Sequence, residues 1–249
     1  MIKFIKIAIA AIIIIPFLIL SYVPIFISFL FRKAGNEKAS RFIIDKTAHF
    51  LIRLIFLLLG GKVVLEGSEN IPSEGRICFI ANHTSLLDCI AVMYPKNVFT
   101  GFIGKVEVKK IPIVSNWFSV LNSVYIDRKS PRDSIKAILQ GSENIKGGLP
   151  MTIFPEGTRS KDGLVHEFKA GSFKMATRVD AIICPCVIKG TRYLFETPYS
   201  LLRKKVYITF LPPIDTSKLS EEEKKDVHSS IENSIRECYE KLPEIKKNK

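Results

Sequence analysis

In "FIANHTSLLDCIAVMY", residues 79–94, His83 and Asp88 stand five positions apart. A neutral imidazole is the side chain best matched to taking up a proton near neutral pH. A carboxylate beside it can fix the ring tautomer and stabilise the imidazolium that forms. The same stretch has a purely structural reading. Ser85 to Asp88 has the S-x-x-D spacing of a capping box, with Ser85 as the N-cap of a helix over 85–94 and Asp88 complementing its dipole. In that reading His83 is a polar residue in a strand-to-helix loop, and this stretch alone leaves both readings open.

A second stretch, "IFPEGTRS" (153–160), also carries chemistry. Gly157 permits a close turn, and Arg159 offers a planar fork of donors suited to a phosphate. Alone it is equally a turn bearing a surface arginine. Lys105, with Glu107 nearby, and Asp127–Arg128 follow two further apolar runs. Lys105 is either a donor to a reacting group or one surface lysine beside Lys109 and Lys110.

These residues need elements to place them. Strand-like runs cover 62–67, 76–82, 100–104, 123–127, 151–155, 181–188 and 205–211. Helical patterns cover about 85–94, 111–120, 131–146, 168–178 and 220–241, the last opened by a Ser220–Glu223 capping box. The alternation predicts an α/β fold over residues 61–249, with a largely parallel sheet covered by helices. In such sheets sites form at the carboxyl ends of strands. Four strand exits here carry charge, which predicts a converging site.

Residues 1–60 are of another kind. The run 7–31, "IAIAAIIIIPFLILSYVPIFISFLF", has no charge, and as a helix it would measure roughly 37 Å, against about 30 Å for a bilayer core. Pro16 and Pro24 are expected to kink it. It is too long for a signal peptide, and no small-residue cleavage site ends it. In 37–59, Arg41, Asp45, His49 and Arg53 form one polar stripe on an apolar helix, a pattern suited to a membrane interface or to packing on the domain. Eight Lys or Arg stand against two acids in residues 1–60. A two-helix membrane-associating segment bound to an anionic leaflet is expected, either dipping into one leaflet or spanning once.

The net charge of +13 favours an anionic partner, but no aromatic-interleaved basic motif points to nucleic acid. Five cysteines, odd in number and without paired spacing, argue for reduced thiols rather than a disulfide framework. Cys184-Pro185-Cys186 has no second cluster to complete a zinc site, and His49 and His166 lack ligand spacing; no metal is expected.

Taken together, "NHTSLLD" and "FPEGTRS" resemble two blocks of the glycerolipid acyltransferase family. The first block is Asn82, His83, Ser85 and Asp88; the third is complete as Phe154 to Ser160. "NSVYIDR", with Arg128, is a looser match to the second, because the family often has glycine near Asn122. "IICPCVI", with Pro185, matches the fourth only in general character, and Lys105, Glu107, Ile111 and Pro112 fit a further family segment. The resemblance covers about residues 60–215. It implies acyl transfer from a thioester to the sn-2 hydroxyl of 1-acyl-sn-glycerol-3-phosphate, forming phosphatidic acid. His83 would be the general base and Asp88 its orienting carboxylate, with no covalent acyl-enzyme; Ser85 lacks a G-x-S-x-G elbow. Arg159 would hold the phosphate, helped by Arg128. Glu156, Gly157, Thr158 and Ser85 would shape the acceptor site, and Lys105 would stabilise the oxyanion. No cofactor is implied beyond the co-substrate, acyl-acyl carrier protein or acyl-CoA. The partners implied are lysophosphatidic acid and an anionic leaflet, on the cytoplasmic face of the inner membrane. An apolar groove for the second chain, lined in part by 111–120, is also expected. Glycerol-3-phosphate or another lysolipid as acceptor, and a membrane lipid-binding protein without turnover, are the alternatives.

Overall fold

The computed structural model describes residues 2–127, 129–197 and 204–245. The chain begins with helices α1 (Ile2–Leu20), α2 (Tyr22–Lys33) and α3 (Glu37–Leu58). Strands β1 (Gly61–Glu66) and β2 (Ile77–Ala81), helix α4 (Asp88–Val92), β3 (Gly101–Lys105), α5 (Pro112–Val120) and β4 (Val124–Ile126) follow. Then come α6 (Pro131–Lys146), β5 (Met151–Ile153), α7 (Ala170–Thr177), β6 (Ile182–Lys189), α8 (Arg192–Phe195), β7 (Lys204–Phe210), β8 (Ile214–Asp215) and α9 (Glu221–Lys241).

The strands form one sheet in the order β1-β7-β6-β2-β5-β3-β4, with β8 added to β6. Strands β2 to β6 run parallel; β7 and β8 run antiparallel to β6, and β1 runs parallel to β7. This is the α/β fold expected. Every residue of β2 is buried, because both faces of the sheet are covered. Phe79 and Ala81 pack on the side of α3 and α4, whereas Cys78 and Ile80 pack with residues of α7 and α9. Pro185 sits in β6 between the stretch paired with β8 and the stretch paired with β7, where a missing N–H is tolerated.

The N-terminal run is interrupted at Ser21. Helix α1 continues through Pro16. Pro24 has no N–H to give the carbonyl of Leu20, so the break falls one turn before it. The stretch Ala11–Lys33 is long and apolar enough to cross a membrane. Gly35, at φ 77°, reverses the chain, and Asn36 caps α3 by accepting the N–H of Ala39 at 3.0 Å. The buried hydroxyls of Ser28 and Ser40, 2.8 Å apart, tie α2 to α3.

Part of the polar stripe of α3 packs on the domain, while Arg41 stays exposed. His49 is buried, with its ring nitrogens 2.8 Å from the carbonyl oxygens of Asp45 and Pro95. Arg53 and Arg41 lie over the rings of Tyr94 and Phe99, at 5.3 Å and 5.6 Å. That part of the stripe is therefore a seam between α3 and the segment after α4. Ala48, Ile52 and Phe56 join the main core, and Phe42, Phe50 and Leu57 are left exposed.

Candidate active site

Because β2, β5 and β6 are parallel neighbours, the residues that leave them meet at one edge of the sheet. His83 leaves β2, Glu156 leaves β5 and Thr191 leaves β6. Asn82 fixes the register of that edge. Its side-chain amide donates to the carbonyl of Ile188 at 2.9 Å, and its Oδ1 accepts the N–H of Ile188 at 2.8 Å.

His83 and Asp88 do form a pair, with His83 Nδ1 lying 3.1 Å from Asp88 Oδ2. The same oxygen accepts the backbone N–H groups of Thr84 at 2.6 Å and Ser85 at 2.7 Å. Asp88 Oδ1 accepts the hydroxyl of Thr191 at 2.5 Å. The carboxylate is fully buried, and four donors converge on it, which is the environment of an ionised group. Nδ1 therefore carries the proton, and Nε2 is left with its lone pair. One face of the ring stacks on Phe154, with centroids 4.2 Å apart and planes inclined by 20°. Ring orientation is thus set by a carboxylate at one edge and an aromatic face behind.

The helix expected over 85–94 starts only at Asp88, and Ser85 is not its N-cap. The reason lies in where the backbone donors go. His83 N–H donates to Glu156 Oε1 at 2.7 Å, Leu86 N–H to Glu196 Oε1 at 2.8 Å and Leu87 N–H to Ser85 Oγ at 3.1 Å. With Thr84 and Ser85 both given to Asp88, five consecutive N–H groups are taken by side chains, and no helical ladder is needed there. Half of the capping box survives, in that Asp88 accepts the N–H of Ser85. The Ser85 hydroxyl instead donates to Glu196 Oε2 at 2.7 Å.

Glu156 is turned inward and buried. Besides holding His83, its Oε2 accepts the N–H of His166 at 3.4 Å. Burial pushes its carboxyl up to about 7, against the lowering effect of those two N–H groups. Gly157 has φ 71°, the left-handed turn that its lack of a Cβ permits, and a Cβ there would lie 2.9 Å from Lys169 Nζ. Thr158 is exposed. Arg159 is partly exposed, with Nη1 3.4 Å from Glu196 Oε1. Ser160 ties this loop to the first block by donating its N–H to the carbonyl of His83 at 2.8 Å.

Lys105 is not part of this cluster. It ends β3, is exposed, and is separated from β2 by β5. Arg128 lies outside the described residues. The 111–120 segment has no buried residue; Trp117 and Phe118 rest half-buried against the core. A cavity of about 430 Å³ lies elsewhere, between α6 and α7, with Ile103, Ile138 and Phe154 on its apolar wall and Gly157 and Lys169 also lining it. Among the described residues no group of three His, Cys, Asp or Glu side chains is placed to hold a metal ion.

Sequence reasoning missed Thr191 and Glu196. They follow the fourth block by a few residues, and both belong to the turn and short helix that cross from β6 over the His83 loop. Neither has a local spacing signal: their partners lie 103 and 110–111 positions away.

A family model described as acyltransferase matches residues 62–189. A Borreliella burgdorferi protein named 1-acyl-sn-glycerol-3-phosphate acyltransferase is 32% identical over 196 residues, covering 78% of this chain and 77% of that protein. A coconut (Cocos nucifera) protein of the same name is 33% identical over 178 residues, covering 70% of this chain and 56% of the relative. The crystal structure of the 1-acyl-sn-glycerophosphate (LPA) acyltransferase, PlsC, from Thermotoga maritima superposes with a TM-score of 0.81 at 29% identity, over 97% of this chain and 98% of that one.

Proposed function

This chain belongs to the acyltransferase family and is an enzyme of lipid metabolism, and on that premise we propose that it acylates the sn-2 hydroxyl of 1-acyl-sn-glycerol-3-phosphate, with a thioester as donor and phosphatidic acid as product. The observation that carries the mechanism is the tautomer enforced at His83. Asp88 accepts from Nδ1, so Nε2 is the atom free to take the acceptor's hydroxyl proton. The alkoxide oxygen then attacks the thioester carbonyl, the tetrahedral intermediate collapses, and the proton passes from Nε2 to the departing thiolate. No enzyme nucleophile is required, and Ser85 is engaged with Glu196 and Leu87.

Arg159 gives Nη1 to Glu196 and carries a planar fork of further N–H donors, and we assign it the acceptor's phosphate. Gly157 and Thr158 border that position, and Arg128 is kept as a second cation. The oxyanion needs a donor. The N–H groups of residues 83–87 are all committed, so Lys105, at the same sheet edge, is kept as its candidate. The apolar cavity that reaches Phe154 gives room for an acyl chain. No metal or further cofactor enters this scheme.

The N-terminal helices expose Ile12, Ile19, Val23, Phe26 and Phe29, a surface suited to lipid and unsuited to water. We place the enzyme on the cytoplasmic face of the inner membrane, where the acceptor resides and a soluble thioester arrives. The test is purified full chain with lysophosphatidic acid and, separately, acyl-acyl carrier protein or acyl-CoA. Phosphatidic acid should form with at least one donor, and His83→Ala should abolish its formation while vesicle binding persists. Turnover by that variant near the wild-type rate overturns the mechanism. A preference for glycerol-3-phosphate over the lysolipid overturns the acceptor assignment.

A further inference from the structure

Helix α5 is apolar along most of its length, "PIVSNWFSV", yet none of its residues is buried. Val114 is 43% exposed, and Ile111, just before the helix, is 53% exposed. Trp117 and Phe118 turn toward the core, but Ile111 and Val114 are left facing outward, and an apolar face of this kind is one that a partner completes. Its position indicates which partner. The 3-10 turn Val106–Lys110 leads into it from the carboxyl end of β3, the catalytic edge of the sheet, and Lys105 and Lys110 are exposed there. On its other side, Trp117 Nε1 donates to the hydroxyl of Ser21 at 3.0 Å, at the junction of α1 and α2. Leu20 and Val23, flanking that junction, are 61% and 58% exposed. The apolar surface of α5 is therefore tied to that of the N-terminal helices and is flanked by lysines, the combination that favours an anionic lipid surface.

We propose that α5, with the lysine-bearing turn before it, is a second membrane-contact element, belonging to the catalytic domain itself and bedded in the anionic leaflet beside α1 and α2. The catalytic edge is then seated on the lipid by two independent supports. Leu86, in the His83 loop at the same edge and 54% exposed, fits this seating. The proposal rests on the reading of the N-terminal helices as a membrane anchor.

The chain contains one tryptophan, which makes depth measurable. In a Trp117→Phe background of the full chain, Val114→Trp places a reporter on α5. Ser229→Trp places a control on α9, where Ser229 is exposed. Vesicles of phosphatidylglycerol and phosphatidylcholine carrying brominated acyl chains provide the quencher. Val114→Trp should shift to the blue and lose most of its emission on vesicles, and Ser229→Trp should do neither. Separately, Ile111→Asp combined with Val114→Asp should weaken partition into the same vesicles at least about tenfold, by loss of apolar burial and repulsion from anionic lipid. Protein that sediments with vesicles while Val114→Trp stays unquenched overturns this proposal and leaves the N-terminal anchor standing. Protein that does not sediment at all overturns both. Quenching confined to a fraction that self-associates without lipid assigns α5 to a second copy of the chain and also overturns the proposal.

Discussion

Replacing Glu156 by glutamine removes a charge that the fold holds away from water. Its carboxyl is raised from 4.5 to about 7 by burial. Between those values the folded protein keeps a proton that the unfolded chain has released, so this group makes stability fall as pH rises through the window. Integrated from pH 5 to pH 8, the loss is about 2.5 kcal/mol. The glutamine variant has no such loss. Its amide oxygen can still accept the N–H of His83, but its nitrogen faces the N–H of His166, at a pH-independent cost of about 1 kcal/mol. The two proteins should therefore be about equally stable at pH 5, with the variant ahead by about 2 kcal/mol at pH 8. Reversible urea unfolding of both chains in neutral-detergent micelles, at pH 5, 6, 7 and 8, measures the difference. Every other titrating group is common to the two and cancels. A difference that stays constant across the four pH values refutes the reasoning, because Glu156 would then titrate alike in folded and unfolded chains.

Asp88→Asn can keep its oxygen toward His83, Thr84 and Ser85 and turn its nitrogen toward the Thr191 hydroxyl, so folding should survive. Loss of the charge opposite the imidazolium should still lower kcat at least about a hundredfold in steady-state assays, at little change in melting temperature. Thr191→Val removes one donor from Asp88 and leaves three. The carboxylate is then held less firmly opposite the His83 ring, so kcat should fall about tenfold in steady-state assays, with Thr191→Ser restoring it. Arg159→Ala should raise KM for a phosphorylated acceptor by about ten- to a hundredfold and leave an unphosphorylated lysolipid little affected; equal loss toward both would remove the phosphate role.

Much of the fold is legible in local sequence. Helix α6 has the bounds expected of it, because Ser130 accepts the N–H of Asp133 and Pro131 stands at the first turn. The capping box of α9 forms in full between Ser220 and Glu223. The comparison with Ser85–Asp88 is instructive, since the spacing is the same and the outcome differs. Around Ser220 nothing competes, so the local hydrogen bonds decide. Around Ser85 the acceptors Glu156 and Glu196 arrive from the ends of β5 and β6 and take the donors that a helix would have used.

The same division runs through the rest of the molecule. The residue types and spacing of the two motifs identified His83, Asp88, Glu156 and Arg159, and alternation identified the sheet, because periodicity and capping act within a segment. That Asp88 has Thr191 as a fourth donor, that Glu196 links Arg159 to the His83 loop, that Lys105 stays two strands away, and that His49 of the α3 stripe turns inward were decided only by tertiary structure. Each depends on strand order, β6 beside β2 beside β5, and on which face a helix presents. Contacts between residues a hundred positions apart follow from how segments are stacked, and no spacing within one segment encodes that.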